Sequence, residues 1–464
     1  MAEQFDLVII GGGPGGYAAA FYASAAGLSE AVVERDKLGG TCLHRGCIPA
    51  KEFLETAAIF RTVRHAAAFG VQTSEPTIDF SVSQARKQKV VNGLWQGLQG
   101  LAKRRKVTVV AGTGTLHHGN LVRVSDGSEL KGTNVILAAG SVPRTLPGCE
   151  ADGRSVFTSD EFLDLSVMPS SAVVIGGGAI GCEFASTMAD LGAKVTILEA
   201  LPKILPGCDT DCVAVVQRSF AKRGIEIRAG VAVTGHSPAA NGQTVVHFGD
   251  RESVTVDAIV VSVGRRPRTE DLLADGAGVA LTDRGFVAVD PFMRTSAPNV
   301  YAIGDIVPTA QLAHIGYAEA ILAVKTILGE AAIPIAYDRV PWCIYCFPEV
   351  AFAGMNEEQA IAAGLEIVVE KHKYIGNGRA QILGETDGLV KIIAERDPRT
   401  GRAGRIVGVH MVGPWVTEQL GQAYLAVNWE ASVDEVAQFI QPHPSLSETF
   451  GEAVLALTGR GLNG

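Results

Sequence analysis

The sequence has few charged and few aromatic side chains, and it has no excess of positive charge. Charged residues make up 19% of the 464 residues and aromatic residues 6%, whereas hydrophobic residues make up 47%. Forty basic residues oppose 49 acidic ones, which gives a formal net charge of −9. A negative surface repels phosphate backbones, so this composition argues against nucleic acid as a partner. The hydrophobic content suffices for several packed cores and excludes a disordered chain.

The sequence also lacks a convincing membrane or secretory segment. Residues 7–29 carry no charge and are long enough to span a bilayer. However, Glu3 and Asp6 precede them where a signal peptide has basic residues, and the glycines and proline of residues 11–16 would break a helix. The run therefore predicts a strand, a turn and a helix. The eight cysteines are then expected in a reducing cytoplasm rather than in a secreted disulfide framework.

Glycine, in contrast, is abundant, with 54 residues, and part of it lies in a motif that occurs twice. Each copy has an apolar run, a glycine-rich turn, a stretch of small residues and a second apolar run that ends in glutamate. The spacing within both copies is the same, with Gly11, Gly13, Gly16 and Glu34 in the first and Gly176, Gly178, Gly181 and Glu199 in the second. The chain thus carries two strand–helix–strand units built to one pattern.

This spacing is typical of dinucleotide binding. The first glycine allows a tight turn, the second lets a pyrophosphate approach the backbone, and the third lets the helix pack closely on the strand. The helix N-terminus offers N–H groups to the phosphates, and the glutamate accepts hydrogen bonds from ribose. Two copies predict two bound dinucleotides. Glu199 would repel a 2′-phosphate, and residues 200–202 include no arginine, so the second site is predicted to take NAD rather than NADP.

Two cysteines, Cys42 and Cys47, directly follow the first unit. On a regular helix their Cα atoms would be separated by a rise of about 7.5 Å, which is too far for a disulfide. Gly46 would allow a local distortion, and Pro49 suits the first turn of a following helix. Cys47 would then lie at a helix N-terminus, which stabilises a thiolate, and Lys51 would project from the same face. The alternative is two buried thiols in a glycine-rich loop.

The segment Cys42-Leu-His-Arg-Gly-Cys47 resembles the redox disulfide of the pyridine nucleotide–disulfide oxidoreductases, which are flavoproteins with an FAD site and a nicotinamide site. The resemblance extends along almost the whole chain. Residues 138–141, 264–267, 301–305 and 311–314 are similar to further segments of that family. The resemblance implies an α/β fold with two Rossmann-like dinucleotide-binding domains and a C-terminal α/β dimerisation domain.

The resemblance also assigns domains and cofactor residues. It implies an FAD-binding domain over about 1–150, an NAD-binding domain over 151–270, a segment on the FAD side over 271–338 and the dimerisation domain over 339–464. The residues implied for FAD are Gly11, Gly13, Gly16, Glu34, Thr41, Lys51, Gly114, Ala139, Gly140, Ser141, Asp305, Gln311, Leu312, Ala313 and His314. Those implied for NAD are Gly176, Gly178, Ile180, Gly181, Glu183, Glu199, Val233 and Gly264, and no metal ligand is implied.

Within the family, His443-Pro-Ser-Leu-Ser-Glu448 is similar to the C-terminal signature of the dihydrolipoamide dehydrogenases. The resemblance implies that protein-bound dihydrolipoyl groups are oxidised and that electrons pass through the disulfide and FAD to NAD. The implied partner is a lipoyl domain of a 2-oxo acid dehydrogenase complex or a glycine-cleavage carrier. The implied assembly is a cytoplasmic homodimer, in which the histidine of one subunit serves the disulfide of the other. The catalytic residues would be Cys42, Cys47, Lys51, Glu183, His443 and Glu448.

Several positions depart from the family pattern. Ala50, the run 315–317, the pair 346–347 and the pair 441–442 replace residues that are usual there. These changes keep the redox residues but alter the substrate entrance, so a reductase with another disulfide substrate is one alternative. A dinucleotide-binding redox sensor without turnover is the second alternative. Glutathione reductase would have arginines after Glu199, and mercuric reductase would have a cysteine pair in residues 454–464, and both features are missing.

A second cysteine pair, Cys343 and Cys346, lies in the apolar run 340–350. The run predicts a single strand, on which residues three apart face opposite sides. This placement favours two buried thiols over a second redox centre or a metal site.

Overall fold

The computed structural model describes residues 2–462 of the protein. Its first segment folds around a mainly parallel sheet with the order β3-β2-β1-β6-β5-β4. Alternate side chains of β1 enter two different cores: Leu7 and Ile9 pack towards α1, whereas Val8 and Ile10 pack with the residues of β4 and β5. The elements are β1 (Glu3–Ile10), α1 (Pro14–Ala25), β2 (Glu30–Glu34), α2 (Gly40–Arg45), α3 (Cys47–His65), α4 (Phe80–Arg104), β3 (Thr108–Ala111), β4 (Gly114–His117), β5 (Leu121–Val124), β6 (Glu129–Leu137) and β7 (Ser141–Pro143).

The second segment forms a separate parallel sheet with the order β11-β10-β9-β15-β8. Helix α6 connects β9 to β10, as the second glycine motif predicts, and an antiparallel sheet of three strands follows. The elements are β8 (Val156–Phe157), α5 (Ser159–Phe162), β9 (Ser171–Ile175), α6 (Ala179–Asp190), β10 (Lys194–Glu199), α7 (Thr210–Lys222), β11 (Glu226–Ala229), β12 (Val233–Pro238), β13 (Thr244–Phe248), β14 (Glu252–Val256) and β15 (Ala258–Val261).

The chain then returns to the first sheet. Strand β16 (Arg265–Pro267) pairs with β7, β17 (Val300–Ala302) pairs in parallel with β6, and α8 (Ala313–Leu328) packs against α1. The predicted pair of Rossmann-like units is therefore confirmed. Residues 7–29 form the end of β1, a turn and α1, as the sequence predicts, and no helix in residues 2–462 is long and apolar enough to cross a membrane.

The last segment is an antiparallel sheet with the order β18-β19-β22-β21-β20. Helices α11 and α13 cover one face of it, and the other face contacts α7 of the second segment. Its elements are β18 (Trp342–Ile344), β19 (Glu349–Gly354), α9 (Glu357–Ala362), β20 (Ile367–Lys373), α10 (Gly378–Leu383), β21 (Leu389–Arg396), β22 (Ala403–Gly413), α11 (Val416–Asn428), α12 (Val433–Val436) and α13 (Glu448–Leu457). Short 3-10 helices span Ala66–Phe69, Ala240–Gly242, Gly304–Ile306, Tyr337–Arg339 and Tyr374–Gly376.

A buried lysine joins this sheet to the second segment. Lys391, on β21, is only 2% exposed, and its Nζ lies 2.8 Å from Asp209 and 2.7 Å from Asp211 at the start of α7. Glu357, the first residue of α9, is its third carboxylate partner. An ammonium group that is removed from water needs such partners, so three carboxylates from two segments converge on one cation.

The prediction of one strand over residues 340–350 is wrong. The run forms two antiparallel strands, β18 and β19, with Ile344 opposite Val350. Pro348 has no N–H to donate to a sheet and lies in the turn between the strands. Hydrophobicity alone does not reveal this reversal, because both strands are apolar. Cys343 and Cys346 are free thiols, and Cys346 is fully buried. The domain boundaries near residues 150, 270 and 338 stay predictions.

One buried acid makes the stability of this fold dependent on pH. Glu30, at the start of β2, is 4% exposed, and burial raises its pKa to about 7, although a hydrogen bond from Ser24 opposes the shift. The folded chain thus holds this proton more tightly than the unfolded chain, so its stability falls as the pH rises from about 4 to about 7.

We expect Glu30→Gln to raise the free energy of unfolding by about 2–3 kcal/mol at a pH of about 8, and to leave it nearly unchanged at a pH of about 4. The glutamine removes the cost of ionisation but keeps the size of the side chain. Urea unfolding at the two pH values measures the difference. Equal stabilisation at both values would contradict this account.

Candidate functional site

The two glycine turns have the same local geometry. Gly11 and Gly176 have φ angles of 107° and 105°, which L-residues rarely adopt. A Cβ atom would lie 2.3 Å from the carbonyl oxygen of Ala138 at the first position and 2.5 Å from that of Ser262 at the second. Both turns therefore require glycine because a strand end passes directly behind them.

The other two glycines of each motif have different surroundings: the third is closely packed, and the second borders open space. A Cβ atom on Gly16 or Gly181 would lie 1.8 or 2.0 Å from the carbonyl oxygen of the first glycine of the same motif. At Gly13 and Gly178, in contrast, no atom of residues 2–462 outside the glycine's immediate chain neighbours comes within 4 Å of the Cβ position. This space lies before the N-termini of α1 and α6, which have no side-chain cap. It fits a pyrophosphate, so FAD and NAD suit the two turns.

The two motif glutamates make equivalent hydrogen bonds. Each carboxylate accepts one hydrogen bond from the backbone N–H of the residue directly after the first motif glycine. It accepts a second from the backbone N–H two residues after the glutamate itself. The carboxylate is thereby held beside the turn, where the ribose of a bound dinucleotide is expected. The distances are 2.7 Å for Gly12 N to Glu34, 2.8 Å for Asp36 N to Glu34, 2.6 Å for Gly177 N to Glu199 and 2.7 Å for Leu201 N to Glu199.

A cleft of about 460 Å³ opens beside the first turn. The predicted residues that line it are Gly11, Glu34, Gly114 and Ala139. Sequence reasoning missed Arg35 and Arg268, which line it too. Burial and the nearby charge of Arg35 lower the pKa of Arg268, which shows that two guanidinium groups share one region. These two groups could each bind an anionic part of a ligand, while the carboxylates of Glu34, Glu270 and Asp271 line the same cleft. The position of Arg35 directly after Glu34 is the sequence feature that could have identified it as a residue of this site.

The predicted flavin residues Ser141 and Asp305 lie in contact. The hydroxyl of Ser141 donates to Asp305 at 2.5 Å, and Arg265 donates to that hydroxyl at 2.7 Å. Asp305 belongs to the 3-10 turn after β17, and Ser141 begins β7, so the contact joins the two parts of the chain that form this domain. Arg265, the third member of the group, was missed because the sequence does not show which side chains return to β7.

The other predicted cofactor residues are placed as follows. Gln311 and Leu312 precede α8, and Ala313 and His314 form its first turn, with the His314 ring 2.8 Å from the carbonyl oxygen of Pro341. The contacts of these residues with FAD or NAD stay predictions. Elsewhere, Thr41 lies in α2 beside the disulfide, Gly140 lies between β6 and β7, Ile180 lies in the first turn of α6, Val233 begins β12 and Gly264 precedes β16.

Cys42 and Cys47 form a disulfide, with their Cα atoms 4.6 Å apart. This excludes the alternative of two separate thiols. Gly46 breaks the helical path with φ −145° and ψ −107°, so Cys42 lies in α2 and Cys47 is the first residue of α3. The peptide dipoles of this 19-residue helix favour negative charge at Cys47. The distortion at Gly46 thus provides both the pairing and the electrostatic environment of the sulfur.

Lys51 and Glu183 form an ion pair between α3 and α6. The Nζ atom of Lys51 lies 2.9 and 2.8 Å from the two carboxylate oxygens of Glu183. Glu183 is 5% exposed and also accepts a hydrogen bond from the backbone N–H of Tyr345 at 2.9 Å. Lys51 lies one helical turn after Cys47, so the pair is close to the disulfide.

His443 and Glu448 also form the predicted pair. The Nδ1 atom of His443 lies 2.8 Å from Glu448, whose second oxygen accepts from the backbone N–H of Ser445 at 2.7 Å. The carboxylate thereby fixes both the ring and the loop that carries it. The His443 side chain is 79% exposed in the single chain, and its Nε2 is available to another molecule.

Comparison with known protein families gives two matches that together span most of the chain. The family described as pyridine nucleotide-disulphide oxidoreductase matches residues 5–320. The dimerisation domain of the same family matches residues 340–454.

Known proteins resemble the chain over its full length. A dihydrolipoyl dehydrogenase of Bacillus subtilis (strain 168) is 39% identical, with 100% of both chains covered, and one of Zymomonas mobilis is also 39% identical with the same coverage. Among solved structures, LpdA from Mycobacterium tuberculosis has a TM-score of 0.89 at 26% identity, covering 98% of this chain and 100% of its own. The HOCl-induced flavoprotein disulfide reductase of Escherichia coli has a TM-score of 0.86 at 28% identity, covering 97% and 99%.

Proposed function

The chain belongs to the pyridine nucleotide-disulphide oxidoreductase family, and on this premise we propose that it oxidises protein-bound dihydrolipoyl groups, with FAD as its resident cofactor and NAD as electron acceptor. The observation that carries the proposal is the Cys42–Cys47 disulfide at the start of α3, with the Lys51–Glu183 pair one turn away. A protein that only bound dinucleotides would need neither of these features.

The reaction begins at the Cys42 sulfur of the disulfide. His443 accepts a proton from one thiol of the substrate, and the resulting thiolate attacks the Sγ atom of Cys42. The Cys42–Cys47 bond breaks, and Cys47 leaves as a thiolate that the N-terminus of α3 stabilises. The second substrate sulfur then displaces Cys42, which leaves as a thiol with the proton of that second substrate thiol, and the cyclic disulfide closes. Glu448 holds the His443 ring in one orientation throughout.

FAD, when bound, supplies the chemistry that carries the electron pair from the Cys47 thiolate to NAD. The first turn would hold it at the open space beside Gly13, and the cleft would hold it through Glu34 and the guanidinium groups of Arg35 and Arg268. The second turn and Glu199 would hold NAD. Lys51 and Glu183 would lie between the two sites and fix the charge there.

The dimerisation domain indicates a homodimer. We infer that each His443 serves the disulfide of the partner subunit, because the ring is exposed in the single chain while Glu448 already holds its orientation. The docking partner would be a lipoyl domain of a 2-oxo acid dehydrogenase complex or a glycine-cleavage carrier, and the cytoplasm would be the compartment.

The test is to add dihydrolipoamide and NAD to the purified holoprotein and to follow NADH absorbance. We expect rapid turnover with NAD and little with NADP. The disulfides of glutathione and of coenzyme A, each tested with NADH, serve as controls for other sulfur substrates. Turnover with either control but none with dihydrolipoamide would contradict the substrate and favour a different disulfide reductase. Absence of turnover in every arm would favour a redox sensor.

Glu199 is expected to set the preference for NAD. Its buried carboxylate is fixed by the amides of Gly177 and Leu201, where the 2′-phosphate of NADP would meet it. We expect Glu199→Ala to lower the ratio of kcat/KM for NAD to that for NADP by about ten-fold or more. Glu34→Ala is the matched control because Glu34 makes the same contacts in the first turn. An unchanged ratio in the Glu199 variant, or an equal change in both, would contradict this role.

A further inference from the structure

A three-residue segment of the C-terminal part of the chain lies across both helices of the redox site. Residues 345–347 lie in the connection between β18 and β19 and pack against α3 and α6. On α6, Glu183, Ser186 and Asp190 are three and seven residues apart and therefore lie on one face of the helix. The segment follows this face, and its two ends make separate sets of contacts.

The first end holds the ion pair beside the disulfide. The backbone N–H of Tyr345 donates to Glu183 at 2.9 Å. The Tyr345 ring lies under the ammonium of Lys51, with Nζ 4.6 Å from the ring centroid, which is within the range of a cation–π contact. Burial raises the pKa of the Tyr345 hydroxyl to about 12, so the ring that faces the ammonium is a neutral phenol at neutral pH. Lys51 is thus fixed from two sides.

The second end makes a similar contact away from the disulfide. The ring of Phe347 lies 3.7 Å from the guanidinium carbon of Arg61 and 5.5 Å from that of Arg223. Its backbone N–H donates to Ser186, and its carbonyl oxygen accepts from Arg223. Asp190 binds both arginines, at 2.5 and 2.7 Å. These contacts join the same helices, ten residues further along α3, without involving Lys51.

We propose that Tyr345 is a positioning residue for electron transfer, and that its ring holds the Lys51 ammonium in the orientation that stabilises the reduced cofactor. The inference rests on the proposed function for the place of the flavin beside Lys51. Two-electron reduction adds negative charge to a flavin, and a fixed ammonium favours that charge. Without the ring, Lys51 keeps Glu183 but gains freedom and water, so its charge acts less strongly on the flavin.

The test measures the flavin itself in three holoprotein variants. Each is equilibrated with a reductant and a dye of known potential, with no dithiol present, and the ratio of reduced to oxidised flavin is read from visible absorbance. We expect Tyr345→Leu to lower this ratio about three-fold at the same dye potential. Tyr345→Phe keeps the aromatic face and should leave the ratio unchanged. Phe347→Leu is the matched control, which should lower the melting temperature but not the ratio.

A double-mutant comparison separates positioning from general loss of packing. In a Lys51→Met background, Tyr345→Leu should produce no further change in the ratio, because the charge on which the ring acts is gone. In the parent protein, where Lys51 is present, Tyr345→Met fills similar space without an aromatic face and should lower the ratio as Tyr345→Leu does. An unchanged ratio in Tyr345→Leu, or equal shifts in the Tyr345 and Phe347 variants, would overturn the inference. Failure to oxidise dihydrolipoamide with this pattern intact would contradict only the proposed substrate.

Discussion

Cys47→Ser is expected to stop dithiol oxidation, with kcat lowered by about 10³-fold or more. The substrate thiolate can attack Cys42 only if a leaving sulfur is bonded to it, and that sulfur belongs to Cys47. A serine in its place forms no disulfide and provides no thiolate at the start of α3. The measurement is NADH formation from dihydrolipoamide under saturating NAD.

The controls for this variant separate the oxidation of the dithiol from the reaction between the flavin and NADH. Flavin content should stay close to that of the parent protein, and NADH should still bleach the flavin, because neither process uses the disulfide. Cys343→Ser is the matched substitution, since it replaces a free thiol elsewhere in the chain and should keep dithiol turnover. A Cys47→Ser protein that oxidised dihydrolipoamide at the parent rate would refute the mechanism.

Lys391→Met should destabilise the fold by about 3–5 kcal/mol. Removal of this ammonium leaves the carboxylates of Asp209, Asp211 and Glu357 close together without their shared cation, and Asp209 is only 2% exposed. Burial by itself lowers the pKa of Lys391, but its hydrogen bonds to the carboxylates outweigh this effect and hold the pKa above its ordinary value. The contribution of Lys391 is therefore fully present at neutral pH, and it is lost only as the pH rises above about 10.4 and through the raised folded-state pKa.

Urea unfolding at neutral pH measures this loss, and Lys371→Met is the control. Lys371 lies opposite Lys391 on the neighbouring strand and contacts Asp211 and Glu357, but its side chain is 45% exposed. An exposed ion pair contributes about 1 kcal/mol or less. Equal losses in the two variants would show that burial of Lys391 does not determine its contribution.

The features of the fold and site that the sequence predicts best are those with a fixed local spacing. The two glycine motifs predict both parallel sheets and the turns before α1 and α6, because the first and third glycines of each motif meet a steric requirement that no other residue satisfies. Cys42, Gly46 and Cys47 likewise indicate the broken helix that joins the sulfurs. In both cases the residues that form the pattern lie within one short stretch of chain.

Contacts between distant segments were not predictable in this way. Tyr345 reaches Glu183, and Lys391 reaches Asp209, only after separate sheets have packed together. The prediction of a single strand over residues 340–350 was wrong, because hydrophobicity does not indicate a chain reversal between two apolar strands. The His443–Glu448 contact was predicted from the family resemblance and not from its spacing, since a histidine five residues before an acid is common in proteins.

The cluster around Lys391 also bears on what this protein requires from its surroundings. Asp209, Asp211 and Glu357 form the kind of carboxylate group that elsewhere holds a dissolved cation. Here the cation is part of the polypeptide, so it does not have to be bound from solution. The contact between the second segment and the C-terminal sheet therefore forms without a metal ion. Chelators, dilution or a shortage of metal ions cannot remove the positive charge at its centre.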